Sequence, residues 1–268
     1  MASARNLELL NERGWRQGFA NLFGKESGEW WRTRRWWVQS LLWLLIVNGI
    51  LAIVLWVVPA VDPTEVIDAV EHLATFMRLM AMLPMFAVIV ITQGAVIGEK
   101  QSGTAAWILS APVSRSGFIL SKLLANAIGF GVTIIVVQGL AAYVQLSVSG
   151  GGLLPLAPYL ANLGLISLYL MFYLALTTML GTFFSTRGPV LGIAIGVAIG
   201  SMLGIGQLLA GLAPWLRLIL PEALPALVAA LVQGEAIPAV WPVPIVVISL
   251  YTMLFVAVAI WRFNREEF

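Results

Sequence analysis

The sequence predicts an all-α integral membrane protein with six transmembrane helices and both termini in the cytoplasm. Of the 268 residues, 60% are hydrophobic and only 10% are charged, whereas soluble domains are about 45–50% apolar and about 25% charged. Five of the gaps between successive charged residues are 20 to 64 residues long. A helix needs roughly 20 apolar residues to cross a bilayer core. Within these gaps the apolar runs are continuous, as in residues 41–47, whereas the strands of a transmembrane barrel alternate.

The first 37 residues form a basic segment that precedes the first span. They contain seven Lys or Arg and no apolar core of signal-peptide length, so we expect residues 1–37 to form a cytoplasmic segment with one or two interfacial helices. Tryptophan and arginine at its end are typical of the headgroup boundary. The residues of this expected membrane-interface anchor are Trp30, Trp31, Arg32, Arg34, Arg35, Trp36 and Trp37. Two roles stay open for the segment: a simple anchor for the first span, or a helix in the membrane plane that is tied to a moving domain.

The charge-free gaps place the spans within a transmembrane domain that covers residues 38–268. The longest gap is broken by glycine and proline at 149–158 and therefore holds two spans. The predicted spans are 38–58, 75–97, 123–147, 159–184, 189–213 and 243–261. Thirteen of the 15 basic residues then lie on the cytoplasmic side, which is the asymmetry that sets orientation in multi-pass proteins. We expect the protein to lie in the cell membrane, inner or plasma.

Two features belong to the fifth span and the segment after it. Residues 214–242 contain five prolines, and the stretch 223–234 is too short to cross, so we expect two short outer helices that dip into the bilayer as a re-entrant pair. Within the fifth span, glycine recurs every fourth residue, a pattern that lets helices approach closely. The glycines of this expected helix-packing ridge are Gly192, Gly196, Gly200 and Gly204. We expect the ridge to contact another helix, either within the chain or in a second subunit.

Motifs for chemistry are missing from the sequence. It has no cysteine and one histidine, so it offers no thiol nucleophile and no multi-His metal site. It contains no phosphate loop, no H-E-x-x-H helix and no G-x-S-x-G elbow. The predicted spans carry almost no ionisable residue, which argues against coupling to protons or ions. We therefore expect no catalytic residue, no metal, no cofactor and no nucleic-acid binding in this chain.

The inner loop at residues 98–122 carries the most distinctive pattern. It holds an acidic–basic pair, a Gly-Thr step, a short apolar helix, a Pro-Val-Ser-Arg turn and a lysine at the foot of the third span. We expect Ser102 or Thr104 to cap the short helix and Ser114 to cap the next one. Pro112 is expected to end the short helix, because the residue before a proline avoids the helical region.

This loop resembles the corresponding segment of the ABC-2-type transporter permease family. Six spans, a length near 270, a basic N-terminal helix and the tail at 261–268 fit the same family. The resemblance implies that the loop is a coupling helix seated in a cleft of a separate ATPase. The coupling residues that it implies are Glu99, Lys100, Gly103, Thr104, Trp107, Ile108, Leu109, Pro112, Arg115 and Lys122. Trp107, Ile108 and Leu109 are expected to be the apolar anchors, and the charged residues to supply polar contacts.

Two functions from different classes stay open. The resemblance implies a permease subunit of an ATP-driven exporter, in which two copies, or this chain and a paralogue, form the translocation path among membrane lipids. A P-loop ATPase partner would then bind ATP and Mg²⁺. The alternative is a non-transporting membrane scaffold or assembly factor. A neighbouring gene for a P-loop ATPase would favour the permease, and a stand-alone gene would favour the scaffold.

Overall fold

The computed structural model describes residues 14–64, 68–235 and 239–267. Its described part is helical throughout and contains no strand. After a short 3₁₀ turn, Gly14–Arg16, the helices are α1 (Phe19–Trp31), α2 (Arg35–Val61), α3 (Ala69–Gln101), α4 (Thr104–Leu109), α5 (Arg115–Ser149), α6 (Leu156–Phe183), α7 (Arg187–Met202), α8 (Ile205–Ala210), α9 (Leu216–Ile219), α10 (Ala223–Gln233) and α11 (Pro242–Asn264).

The expected all-α membrane architecture is confirmed. Among the described residues, five helices are long and apolar enough to cross a bilayer: α2, α3, α5, α6 and α11, with 27, 33, 35, 28 and 23 residues. Each coincides with one of the predicted spans. The chain is therefore a multi-pass membrane protein.

The predicted span 189–213 is wrong as a single helix. The helix is interrupted at Gly204, which has a left-handed φ of 68°, and this interruption separates α7 from α8. Glycine adopts that conformation without the steric cost that a Cβ would add, so the fourth glycine of the expected ridge ends a helix instead of extending one. α7 alone has 16 residues, fewer than the roughly 20 that a perpendicular crossing needs.

The inner loop is shorter than the 98–122 that hydropathy indicates. α3 continues to Gln101 and α5 begins at Arg115, so residues 102–114 alone connect them. Charged residues end a hydrophobic run without ending a helix, because a helix satisfies its own backbone hydrogen bonds outside the bilayer as well. Glu99 and Lys100 therefore lie on the last turns of α3.

α6 lies at the centre of the bundle and packs against α3, α7, α10 and α11. Phe76 and Met85 of α3, Tyr173 of α6 and Ile248 of α11 are fully buried in this main core. A second, smaller core lies where α1, α3, α4, α5 and α11 meet. Its buried residues are Leu22, Val96, Ala105, Ile108, Phe118, Ile119, Ala259 and Phe263. This second core fixes the loop after α3 to the ends of the long helices.

The 214–242 segment contains α9 and α10. α10 packs against the first half of α3, where Pro225 and Val228 line a cavity with Met77 and Ala81. The loop between α3 and α5 follows the other end of α3. α10 and α4 therefore lie at opposite ends of the bundle.

Candidate functional site

The loop between α3 and α5 folds into a short helix between two turns. Gly103, with φ of 71°, is the N-cap residue of α4, a position that was expected for Ser102 or Thr104. The Ser102 hydroxyl accepts a long hydrogen bond of 3.4 Å from the backbone N–H of Thr104. The hydroxyl oxygens of those two residues also lie 2.7 Å apart and hydrogen-bond each other. The expected cap at Ser114 is confirmed, because its hydroxyl accepts a hydrogen bond of 2.9 Å from the backbone N–H of Gly117.

The three expected apolar anchors do not share one environment. Ile108 is buried, and Leu109 packs partly buried against the same second core. Trp107 is 76% exposed. Residues three and four apart share a helix face, so Ala105 and Ile108 point into the protein while Trp107 points away. Of the three, Trp107 alone remains available to a partner.

A buried ionic network fixes α1 to the end of α3 and the start of α5. The ammonium of Lys122 lies 2.8 Å from Glu26 Oε1 and 3.0 Å from Glu99 Oε1, and its side chain is only 3% exposed. The more exposed Lys25 pairs with the same two carboxylates. Two ammonium groups therefore face two carboxylates, which is the pairing that buried charges require. We name Lys25, Glu26, Glu99 and Lys122 the four-residue ionic network.

The pKa of Lys25 follows from this network. Burial lowers the pKa of Lys25, but the hydrogen bond to Glu99 and the charges of Glu26 and Glu99 outweigh it, so the pKa lies above the ordinary value of 10.5. A raised folded-state pKa stabilises the fold at pH values below the unfolded-state pKa, and the effect disappears as pH rises through the folded-state pKa. The contribution of Lys25 is therefore constant near neutral pH and declines only in strong alkali.

A second set of contacts fixes the loop to the C-terminal tail. Lys100 forms an ion pair of 2.6 Å with Glu266 and donates to the carbonyl of Thr182, which lies 3.3 Å away. Arg115 donates to the carbonyls of Asn264 and Glu266 at 2.9 and 2.6 Å. The charged residues that were expected to contact an ATPase therefore bind this chain itself and hold α4 in place.

Trp30 is buried within the protein, so its ring is not exposed to lipid as an interface anchor would be. Its ring is 1% exposed, and its indole N–H donates to Asn126 Oδ1 at 3.2 Å. Gly129 makes this possible, because a Cβ there would overlap the ring. The guanidinium of Arg35 covers the ring at 4.3 Å. The remaining members of the expected anchor are exposed: Trp31, Arg32, Arg34, Trp36 and Trp37. Trp30 therefore joins α1 to α5, and the other tryptophans are free to contact lipid.

Two of the four ridge glycines face away from the described chain, whereas Gly200 lies against Ile205 of α8. Gly192 and Gly196 are exposed, and no atom of the described residues lies within 4 Å of a Cβ built at either position. The opposite face, with Val190, Ala194 and Ala198, is buried against the bundle. Packing within the chain therefore does not use these two glycines, and contact with a second subunit stays a prediction.

Sequence reasoning missed a polar seam between α2 and α5. The Asn48 amide nitrogen donates to Gln138 Oε1 at 2.8 Å, and the Gln145 amide nitrogen donates to Asn48 Oδ1 at 2.9 Å. Gln138 also donates to the backbone carbonyl of Thr133, within the π-helical segment of α5, at 2.9 Å. These are uncharged polar residues inside apolar runs, and such residues act as interhelical contacts in membranes. That signal was present in the sequence.

The comparison with known protein families gives a match that covers the spans and the loop. Residues 37–268 match the family model described as a protein of unknown function, DUF2705. The chain belongs to this family. The DUF2705 match includes the loop and every long helix but leaves out α1, and with it Lys25 and Glu26 of the four-residue ionic network. No curated protein matches the chain.

Proposed function

We propose that this DUF2705 protein is the transmembrane subunit of an ABC-2-type, ATP-driven exporter that binds a separate P-loop ATPase through α4. One observation carries the proposal: Trp107 is 76% exposed on a helix that is fixed from two sides. Aromatic side chains dominate the energetics of protein interfaces. An exposed tryptophan on a braced helix is a suitable anchor, because docking does not have to order the loop first.

The bracing of α4 supports transmission as well as binding. The second core fixes the buried face of α4, Lys100 connects the end of α3 to the carbonyl of Thr182 at the end of α6, and Arg115 connects the start of α5 to the tail. A push on α4 therefore reaches the ends of several long helices directly. A loop that only joined two spans would not need these contacts.

The proposal includes six crossings. α7 rises about 24 Å at 1.5 Å per residue, less than the roughly 30 Å of a hydrocarbon core. Together α7 and α8 cover residues 187–210, which provides the length for a broken sixth crossing. The loop, the connection between α6 and α7, and the tail then share the cytoplasmic side with most basic residues. α9 and α10 then lie outside, as a re-entrant pair.

The partner subunits follow from two surfaces. The ATPase, which would bind ATP and Mg²⁺, takes the α4 surface. The open glycine face of α7 suits a second copy or a paralogue, because small residues allow close approach between helices in lipid.

The experiment is a co-purification with a matched pair of tryptophan variants. If a neighbouring gene encodes a P-loop ATPase, the tagged chain is co-expressed with that ATPase, solubilised in detergent and assayed for retained ATPase. Trp107→Ala should weaken binding by roughly 30-fold, since loss of an interface anchor costs about 2 kcal/mol and each 1.4 kcal/mol is tenfold. Trp215→Ala is the control, because Trp215 is 58% exposed and lies beyond α8, away from α4.

The outcomes separate the exporter from the scaffold. An exporter retains the ATPase and stimulates ATP hydrolysis in lipid discs, and Trp107→Ala loses both at normal yield. Equal retention by both variants would show that α4 is not the docking surface. A wild-type chain that retains no ATPase and stimulates no hydrolysis would favour the non-transporting scaffold.

A further inference from the structure

A cavity of about 250 Å³ lies where α1, the start of α2 and the end of α3 meet beside α5. Charged side chains from all four helices line it: Glu26, Glu29, Arg35, Glu99 and Lys122. Gly94 and Gly98 form part of its wall, and the guanidinium of Arg187 lies within 4 Å of a Cβ built at either glycine. The cavity therefore combines charge with space, at the end of the bundle that carries the loop.

One charged group that lines the cavity has a buried oxygen without a partner in the described chain. Glu99 Oε1 accepts from both lysines of the ionic network, but Glu99 Oε2 is buried and has no hydrogen-bond partner. Glu29 and Arg35 line the same cavity. Glu29 is exposed, and Arg35 is half-buried, stacks on the Trp30 ring and feels the charges of Glu29 and Glu26 without forming an ion pair within 4.0 Å. Buried polar atoms in native structures are nearly always paired. The cavity therefore offers one cationic group and two acidic groups to a ligand.

The opposite charges restrict the ligand class. A plain anion would meet Arg35 but would lie close to Glu29 and Glu99. A plain cation would meet the carboxylates but would face the guanidinium. A ligand that carries both a phosphate and an ammonium satisfies both sets, because each charge then gains a charge-assisted hydrogen bond.

The surroundings indicate the source of such a ligand. Trp31 and Trp36 follow the lining residues Trp30 and Arg35 in sequence, and both are exposed, as is Trp37. Tryptophan is enriched at the level of lipid headgroups. Drug-sized ligands occupy pockets of roughly 300–1,000 Å³. At about 250 Å³, the cavity suits a headgroup whose acyl chains lie outside along α2.

We propose that this cavity binds the phosphoethanolamine headgroup of a membrane lipid, with the phosphate on Arg35 and the ammonium between Glu29 and Glu99. The ammonium donates to the unpartnered Oε2 of Glu99 and to the carboxylate of Glu29. The site is independent of ATPase docking, because none of its residues lies on the exposed face of α4.

The test is native mass spectrometry of the purified chain with three dioleoyl lipids. Phosphatidylethanolamine should bind at least about tenfold more tightly than phosphatidylcholine, which lacks N–H donors, and than phosphatidylglycerol, which lacks the ammonium. Glu29→Gln and Arg35→Gln should each reduce phosphatidylethanolamine binding about tenfold, equal to about 1.4 kcal/mol. Arg34→Gln is the matched control: it removes the same charge one residue away, outside the cavity lining, and should leave binding unchanged.

A soluble competitor distinguishes the two sources of phosphoethanolamine. If glycerophosphoethanolamine displaces the lipid at equal concentration, the ligand is a soluble ester, and if it does not, the ligand is the lipid. Equal binding of the ethanolamine and choline lipids would overturn the proposal, as would a preference for phosphatidylglycerol. The lipid comparison uses the wild-type chain, so it tests the headgroup preference even where a variant fails to fold.

Discussion

Lys122→Met tests the four-residue ionic network most sharply. Lys122 is 3% exposed and lies 2.8 and 3.0 Å from the carboxylates of Glu26 and Glu99. Methionine has a similar length and no charge, so the substitution removes the cation with little change in volume. Glu26 and Glu99 then face each other with Lys25 as their remaining counterion in the network.

The expected loss is about 3–5 kcal/mol, the usual cost of removing one partner from a buried ion pair. In domains of 150–250 residues each kcal/mol shifts Tm by about 2–4 °C, so we expect Tm to fall by at least about 6 °C. Lys25→Met is the control. Its side chain is 41% exposed, and exposed ion pairs contribute only about 0–1 kcal/mol, so its Tm should fall by about 4 °C at most.

The assay is thermal unfolding of the detergent-solubilised chain, followed by tryptophan fluorescence. A third variant that combines Lys122→Met with Glu26→Gln and Glu99→Gln separates charge from packing. This variant neutralises the three least exposed members of the network and leaves Lys25, whose side chain is 41% exposed. No uncompensated buried charge then remains, and such replacements are often neutral, so this variant should recover most of the lost Tm. A triple variant as unstable as Lys122→Met would refute the electrostatic reasoning, and so would equal losses from the two single lysine variants.

Two further predictions concern glycines. Gly129→Ala should destabilise the chain by about 1–3 kcal/mol through overpacking, because its Cβ overlaps the Trp30 ring. The control Gly131→Ala has open space around its Cβ and should be neutral or stabilising by up to about 1 kcal/mol. Thermal unfolding compares the two variants, and equal Tm values would contradict the prediction. Gly196→Leu should leave monomer yield unchanged, since its Cβ meets no atom of the described chain, and should reduce the dimeric fraction in size-exclusion chromatography. Ile193→Leu, also exposed on α7, is the control. A normal dimeric fraction of Gly196→Leu would exclude the glycine face as a subunit contact.

Hydropathy located the long helices because crossing a bilayer requires a long apolar run, and that requirement is local in sequence. It did not find the break at Gly204, because four glycines at a spacing of four fit both a packing ridge and a helix end. The left-handed φ of Gly204 depends on how the chain turns towards α8. A sequence pattern does not distinguish a glycine that packs from a glycine that turns.

In the loop between α3 and α5, too, some features were predictable from the sequence and others were not. Its helix, its turn and the cap at Ser114 follow from local preferences and were predictable. The partners of Glu99, Lys100, Arg115 and Lys122 were not, because Glu26 and Glu266 lie far away in the sequence. Trp30 was assigned to the interface because tryptophan beside arginine usually lies there, whereas the gap left by Gly129 buries it.

The arrangement of charge around α4 bears on how a motor subunit would act on this protein. Exposed ion pairs contribute little to binding, so charged residues at a docking loop are more useful as braces than as contacts. Lys100 and Arg115 connect the loop to the tail after α11, and Lys122 connects it to α1. If an ATPase binds Trp107, its movement would therefore displace the ends of α3, α5 and α11 together with α1. In the proposed exporter, the exposed tryptophan would supply attachment, and the buried charges would supply the stiffness that turns attachment into movement of the spans.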